Sequence, residues 1–401
     1  MQEVVKQLSE RLVGLGHEVT VATTYLPGRS ERLINGVKIE EFSIRGNAVT
    51  GLKGDVSTYE RFLLESRFDI VANFAAQQWA TDMAMPLLPR IAGRKVFVPT
   101  GFSGLYSRSY KNYFRQLPKL MRQYDMNVFL SDSYRDISFA RRHGITKTIL
   151  IPNGAAADEF LGPATDIRLQ LGVSPDHFLI LHVGTHTGQK GHEETLEIFR
   201  RADIRDATLL IIGNESPGGC GSLCQARAEQ LNNSTRFHAD GKRIVVTQLS
   251  RPETVSAYHA ADLFLFPSNI ECSPIVLFEC MASRTPFLVT DVGNSAEIIA
   301  WSGGAGVLLP SETPHYLPVD GSLWERAGKK LRSWLAGPEN FACVHANIAE
   351  SVSLLESLRH DPDRLNKMAQ AGFLAWQKRF TWESIAGEYE TLYRNLVEGN
   401  V

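Results

Sequence analysis

Pro267-Ser268-Asn269-Ile270-Glu271-Cys272-Ser273-Pro274-Ile275-Val276-Leu277-Phe278-Glu279 is the stretch on which the reading of this chain turns. It follows Leu263 to Phe266, an apolar run without polar alternation, the pattern of a strand buried on both faces. In open α/β sheets, ligands bind outside the carboxyl ends of strands. Ser273 suits an N-cap and Pro274 the first helical position, so a helix is expected to begin here with unpaired N–H groups and a positive dipole end. Such an end can receive a diphosphate. Glu279 falls about 7 Å further along the helix axis, where a carboxylate can accept both hydroxyls of a ribose. Glu271 lies in the loop, within reach of a sugar beyond the phosphates. The plainer alternative makes Glu271 a solvated loop residue and Glu279 an ordinary helix charge. Against it, Leu277, Phe278, Cys280 and Met281 surround Glu279, and a buried carboxylate needs partners.

Outward from this stretch, further apolar runs alternate with helical stretches: Phe178 to Val183, Leu209 to Ile212, Ile244 to Val246, Phe287 to Val289 and Val307 to Leu309. Strand–helix repeats of this kind imply a parallel sheet with right-handed crossovers. After Phe178 to Val183 comes a loop, Gly184-Thr185-His186-Thr187-Gly188-Gln189-Lys190-Gly191, with a helix expected from His192. Its glycines allow backbone to approach phosphate oxygens, and Lys190 supplies positive charge.

The N-terminal half repeats the rhythm less cleanly. Val4, Val5, Leu8, Leu12 and Leu15 form a helical stripe ended by Gly14 and Gly16. Strands are expected at Val19 to Ala22, Asp69 to Ala72, Lys95 to Val98, Asn127 to Leu130 and Thr148 to Ile151, and Ala155 to Gly172 reads as an interdomain linker. Because a doubly wound domain normally opens with a strand and this chain opens in a helix, coding sequence for a further strand and Gly-rich loop is expected upstream of Met1.

Bulk properties set the frame. The 401 residues suit two α/β domains, with 43% hydrophobic and 21% charged residues as in soluble globular proteins. A formal charge of −2 gives no sign of nucleic-acid binding. No apolar run reaches the roughly 20 residues of a spanning helix. No secretory signal precedes the first helix, and the five cysteines are scattered, as in a reducing, cytoplasmic compartment. Cys220 and Cys224 have too few ligands near them in sequence for a metal or redox site, and read as part of a Gly-rich surface loop. Asp361-Pro362-Asp363 reads as a helix start.

These residues resemble the retaining family 4 of GT-B glycosyltransferases, the glycosyl transferases of group 1. Glu271, seven residues, then Glu279 match its hallmark, supported by Phe266-Pro267-Ser268, Met281 to Pro286, Gly293 to Glu297, Ile151-Pro152-Asn153-Gly154 and Phe380-Thr381-Trp382. The resemblance implies two doubly wound, Rossmann-like domains facing a central cleft: an acceptor-side domain over 1–160, a nucleotide-sugar domain over 174–375, and a helix over 376–401 that crosses back. It implies that Glu279 holds the ribose and Glu271 the donor sugar. Lys190, with the backbone at Gly184, Ile275 and Val276, would hold the diphosphate, with Thr185 and Ser273 beside it, and no metal or other cofactor is needed. The implied reaction moves a hexose from a nucleotide diphosphate sugar such as a UDP-sugar to a glycan or lipid-linked acceptor, with retention, in surface polysaccharide or glycolipid synthesis. Two departures stand out. Thr185 occupies the place of the usual Arg, and the N-terminal His that often contacts the donor is not evident in Val98-Pro99-Thr100-Gly101-Phe102-Ser103. Another GT-B sugar-nucleotide enzyme, such as an epimerase, and a non-catalytic nucleotide-sugar-binding subunit stay open as alternatives.

One further segment bears on the acceptor. From Gly104 to Tyr124 there is no acidic residue, and Arg108, Lys111, Arg115, Lys119 and Arg122 alternate with apolar and aromatic residues. Such a stretch, expected as two short helical pieces separated at Pro118, could lie on an anionic membrane surface at the inner face, pack its apolar side into the core, or grip an anionic acceptor.

Overall fold

The structure is a computed structural model describing residues 1–312 and 343–400. It divides into two compact units. One contains residues 1–153 and the helix Trp382–Glu398; the other contains residues 154–312 and 343–381.

The second unit is built on one six-stranded parallel sheet. Its strands, in spatial order, are Lys242–Thr247, Ala207–Ile212, Phe178–Val183, Leu263–Phe266, Phe287–Val289 and Gly306–Leu308. Every expected strand is present to within two residues at either end. The central strands are almost wholly buried, which explains the unbroken apolar runs: both faces are covered by helices. The order reverses between Phe178–Val183 and Leu263–Phe266, because the chain first builds outward on one side of Phe178–Val183 and then returns to its other side. Loops diverge at such a switch point and leave a crevice at the carboxyl ends.

The helix Pro362–Arg379 packs on Ile275–Ala282, with Gly372 against Met281 and Ala305. Asp361 caps it, its side chain accepting from Arg364 N at 3.0 Å, so the Asp361-Pro362-Asp363 cluster starts a helix. Trp376 is fully buried, and its Nε1 donates to Ala155 O at 3.1 Å.

The first unit departs from a single doubly wound sheet. A four-stranded parallel sheet runs Ile70–Phe74, Arg94–Val98, Met126–Phe129, Thr148–Leu150. Thr20–Thr24 and Val37–Phe42 pair parallel in a separate three-stranded sheet, with Leu33–Ile34 added antiparallel. The strand Val37–Phe42 was not expected, since Lys38, Glu40 and Glu41 hide its apolar residues among charge. The opening helix spans Gln2–Gly14 and packs against Trp382–Glu398, where Arg11 meets Glu383 at 2.7 Å and His17 meets Glu390 at 3.1 Å.

Two expectations need correction. The stretch from Ala155 to Gly172 is no loose linker: its short helices Ala157–Phe160 and Ile167–Gln170 bury Phe160 and Ile167 in the second unit. Arg168 there donates to Ala260 O and Asp262. And Pro118 does not split its segment, because Lys111–Met121 is one helix containing it. Phe114, Leu117 and Met121 on either side bury on one face, and that packing outweighs the lost backbone hydrogen bond.

Trp376→Ala is expected to cost the second unit about 3–5 kcal/mol, the usual penalty for emptying a fully buried tryptophan site. An earlier urea transition would register it; an unchanged midpoint would show that the surrounding helices close the cavity.

Candidate active site

The switch point brings two loops together. The first is Gly184 to Gly191, between Phe178–Val183 and the helix His192–Arg201; the second is Pro267 to Pro274, between Leu263–Phe266 and Ile275–Ala282. Asn269 N and Ser268 Oγ both donate to Gln189 O, at 2.9 and 3.2 Å. Gly191 has φ 73°, and a Cβ there would lie 2.0 Å from Pro267 O, so only glycine allows the loops to close this far. Gly293, at φ 60°, similarly lets its segment lie on Cys272 O, which accepts from Asn294 N at 3.0 Å.

This closure places Lys190 Nζ 2.7 Å from Glu271 Oε1, joining residues that are far apart in sequence. Ser268 Oγ donates to the same carboxylate oxygen at 2.9 Å. The Lys190 stem lies over Gly184, whose absent side chain leaves it room. Both charged groups retain solvent access, Lys190 more than Glu271. Thr185 is exposed beside them and adds no charge in place of the expected Arg.

The helix starts one residue later than expected. Its cap residue is Pro274, and Ile275 is its first residue, so Ser273 lies outside the helix rather than capping it. A residue before proline is driven to extended geometry, and Pro274 itself is extended at ψ 112°. Ile275 and Val276, both partly exposed, open the helix with N–H groups that have no carbonyl within it to reach.

Glu279 is 4% exposed. Arg251 Nη1 meets its Oε1 at 2.7 Å, and the same guanidinium meets Glu159 at 2.5 Å. Burial works to lower the Arg251 pKa, but Glu279 and Glu159 outweigh it and hold it above its ordinary value. Glu279 is thus a buried carboxylate aligned by a fixed cation, and nothing in its own stretch of sequence names Arg251 as that partner.

Behind the first loop three imidazoles pack together, His186 stacked on His192 and His182 tilted against it. The His186 and His192 rings are 4.2 Å apart, and those of His182 and His192 4.5 Å. Cys220 Sγ lies 3.6 Å from His186 Nδ1. Residues distant in sequence therefore surround Cys220, and the reading of its neighbourhood as a plain surface loop is incomplete.

The first unit, taken by itself, carries a second cluster that sequence did not reveal. Ala75, Gln77 and Thr100 have φ of 62°, 63° and 52°, at the carboxyl ends of Ile70–Phe74 and Arg94–Val98. Left-handed geometry at such residues costs about 1–3 kcal/mol each and is common at functional sites. Around them, Tyr113 OH donates to Asp82 Oδ1 at 2.8 Å, Ala48 N donates to Asp82 Oδ2 at 2.9 Å, and Gly104 N donates to Gln77 Oε1 at 3.2 Å. Burial pushes the Asp82 carboxyl up. Gly101 N, just past Thr100, donates to the buried Asp136 at 2.9 Å. Local sequence gives no sign of positive φ at Ala, Gln or Thr.

The basic segment lies beside this cluster. All five of Arg108, Lys111, Arg115, Lys119 and Arg122 are exposed, while Phe114, Leu117, Met121 and Tyr124 sit in the core with Phe102 and Phe139. The apolar side that a membrane would require is therefore committed to the fold. Among the described residues no helix is long and apolar enough to cross a membrane.

Residues 1–159 match the profile described as Glycosyltransferase Family 4, and residues 164–318 match Glycosyl transferases group 1. The chain belongs to the group 1 glycosyltransferases, with the GT-B fold. It is 26% identical over 255 residues to alpha-maltose-1-phosphate synthase of Mycolicibacterium smegmatis, an alignment covering 64% of this chain and 56% of that protein. The chain spans about half the length of the curated relatives it matches. Among solved structures, sucrose-phosphate synthase from Thermosynechococcus elongatus superposes with a TM-score of 0.72 at 19% identity, covering 98% of this chain and 93% of that one. Anabaena HepE in complex with UDP and glucose gives 0.68 at 15% identity, covering 97% and 95%.

Asp136 offers a pH test of the first-unit cluster. Burial raises its pKa to about 6, against about 3.9 for an unfolded Asp. The native state therefore binds this proton more tightly: the cost of ionising Asp136 is absent below about pH 4 and complete above about pH 6. From pH 4 to 7 the wild type should lose stability relative to Asp136→Asn, by at most about 3 kcal/mol. Parallel denaturation curves at both pH values check this; a gap that does not move with pH would place the carboxylate in a wetter setting.

Proposed function

We propose that the chain is a glycosyltransferase that takes a sugar from a nucleoside diphosphate sugar and passes it, with retention, to a glycan or lipid-linked acceptor. The observation that carries this reading is the meeting of Lys190 and Glu271 at the switch point, next to the opening N–H groups of Ile275–Ala282. Departure of the nucleotide builds negative charge on its distal phosphate. Lys190 and the helix N-terminus face that charge with groups already oriented, so little reorganisation accompanies bond breaking. In the free enzyme Glu271 holds Lys190; with donor bound, Lys190 turns to phosphate and Glu271 to the sugar hydroxyls.

Glu279 would accept the two ribose hydroxyls, its carboxylate fixed by Arg251. UDP is the nucleotide favoured here, since Anabaena HepE, solved in complex with UDP and glucose, shares this fold. No side chain at the loops stands out as a covalent nucleophile. Same-face attack, with the leaving phosphate taking the acceptor proton, therefore fits retention best. No metal is needed for the charge development that Lys190 and the helix end already meet.

For the acceptor, the strained cluster around Gln77, Asp82 and Tyr113 and the neighbouring cationic stripe favour a phosphate-bearing molecule, such as a lipid-linked glycan precursor. Because the apolar side of that segment is buried, contact with an anionic surface at the inner face of a membrane would be electrostatic, without insertion.

Glu279→Gln keeps the side chain's shape but removes a charged acceptor, and should weaken UDP binding roughly tenfold or more. Lys190→Met should cut turnover about 10²–10³-fold, as loss of one preorganised charge does elsewhere. Calorimetry with UDP followed by a transfer assay separates these outcomes. Full UDP affinity in Glu279→Gln would remove it from the site, and donor conversion without any acceptor would favour an epimerase. A second test concerns the stripe. Sedimentation with anionic vesicles should be measurable at low salt and vanish at high salt; equal, negligible binding to anionic and neutral vesicles would leave a soluble acceptor as the reading.

A further inference from the structure

We propose that His186, His192 and Cys220 form a binding site for a borderline-soft divalent metal ion of the zinc type, at the foot of the Gly184–Gly191 loop. Each of the three offers one ligand atom, and these atoms lie within 4.8 Å of one another. They come from three separate places: the loop itself, the first residue of His192–Arg201, and the residue before Gly221–Asn232.

Hydrogen bonding settles how His192 is presented. Its Nε2 lies 3.1 Å from Gly184 O, and a carbonyl only accepts, so Nε2 carries the proton. Nδ1 then holds a lone pair, and this atom is buried without a hydrogen-bond partner in a residue 2% exposed. A buried acceptor left unsatisfied is costly and calls for an explanation. An imidazole whose second nitrogen is tied to a carbonyl is also how protein metal sites hold a histidine ligand.

The distances suit the ion. With metal–nitrogen bonds of about 2.0–2.1 Å and a metal–sulfur bond of about 2.3 Å, a tetrahedral centre separates nitrogen from sulfur by about 3.5 Å. Cys220 Sγ and His186 Nδ1 stand 3.6 Å apart. Closing the longest edge of the group, at most 4.8 Å, needs a contraction of about 1.5 Å at most. The fourth position is left to water. Nitrogen and thiolate donors select zinc-like ions over magnesium or calcium, which favour oxygen.

The surroundings are prepared for it. His186 N donates to Asn214 O at 2.9 Å, and a Cβ at Gly219 would lie 1.7 Å from His186 O, so the segment carrying Cys220 is pressed against the loop. The Glu215 carboxylate acts on His186 and would offset the ion's charge. On binding, the Cys220 thiol gives its proton to solvent and the two imidazoles stay neutral. The ion would clamp the loop that carries Lys190 and so act on loop order, and its binding does not depend on the donor being a nucleotide sugar.

Cobalt(II) tests this on the full chain. Titration should give a thiolate-to-cobalt charge-transfer band in the near ultraviolet with intense tetrahedral d–d bands, saturating at one equivalent and displaced by Zn2+. Cys220→Ser should abolish the charge-transfer band, His186→Gln should weaken binding at least about tenfold, and Cys343→Ser should leave the spectrum unchanged. No thiolate band in the wild type at saturating cobalt, or a band surviving Cys220→Ser, overturns the proposal. Should Cys220→Ser fail to fold, alkylation of the wild type decides. Zn2+ must slow modification of Cys220 but not of Cys343, read by mass spectrometry, and equal rates with and without Zn2+ overturn the site.

Discussion

How near two loops can approach governs the carboxyl end of the second unit's sheet. Parallel neighbouring strands send their following loops apart at a switch point, and here that divergence is reversed by backbone contact. Gly191 passes so near Pro267 O that any side chain would collide, and Gln189 O is shared by donors from the opposing loop. From this one contact follow the pairing of Lys190 with Glu271 and the direction of the helix at Ile275. The sheet supplies the starting points; the absence of one Cβ brings the two chemical groups within bonding distance.

A second constraint lies deeper. Arg251, held by two carboxylates, fixes Glu279 from inside the unit. A carboxylate buried among Leu277, Phe278 and Cys280 would be costly alone, and the guanidinium makes its charge tolerable. Glu159, from the stretch read as a linker, completes the arrangement, which explains why that stretch is packed rather than loose.

Legibility in the sequence divides along physical lines. Strands buried on both faces write themselves as apolar runs, so the sheet of the second unit was readable almost to the residue. Val37–Phe42, with charged residues along it, was not. Lys190, Glu271 and Glu279 could be singled out because ligands of open α/β sheets bind at the loops after strands, but that Lys190 meets Glu271 and Arg251 meets Glu279 only the fold reveals. The left-handed Ala75, Gln77 and Thr100 were hidden, since no side-chain pattern encodes strain imposed by neighbours. His186, His192 and Cys220 were hidden for another reason: only folding makes near neighbours of residues on three different elements. The segment 104–124 shows the limit of amphipathic patterns, which announce an apolar face without saying whether core or lipid receives it.

The chain's path through its two units has a consequence for its synthesis. The opening helix Gln2–Gly14 rests on Trp382–Glu398, while everything from Gly154 to Thr381 among the described residues belongs to the other unit. During translation the unit begun first is therefore completed last. Until Trp382–Glu398 emerges from the ribosome, the buried side of Gln2–Gly14, with Val4, Leu8 and Leu12, has no helix to cover it. The second unit can close in the meantime. Premature termination shortly before Trp382 would thus yield a nascent chain whose later-made half is whole and whose earlier-made half still exposes an apolar helix to quality control.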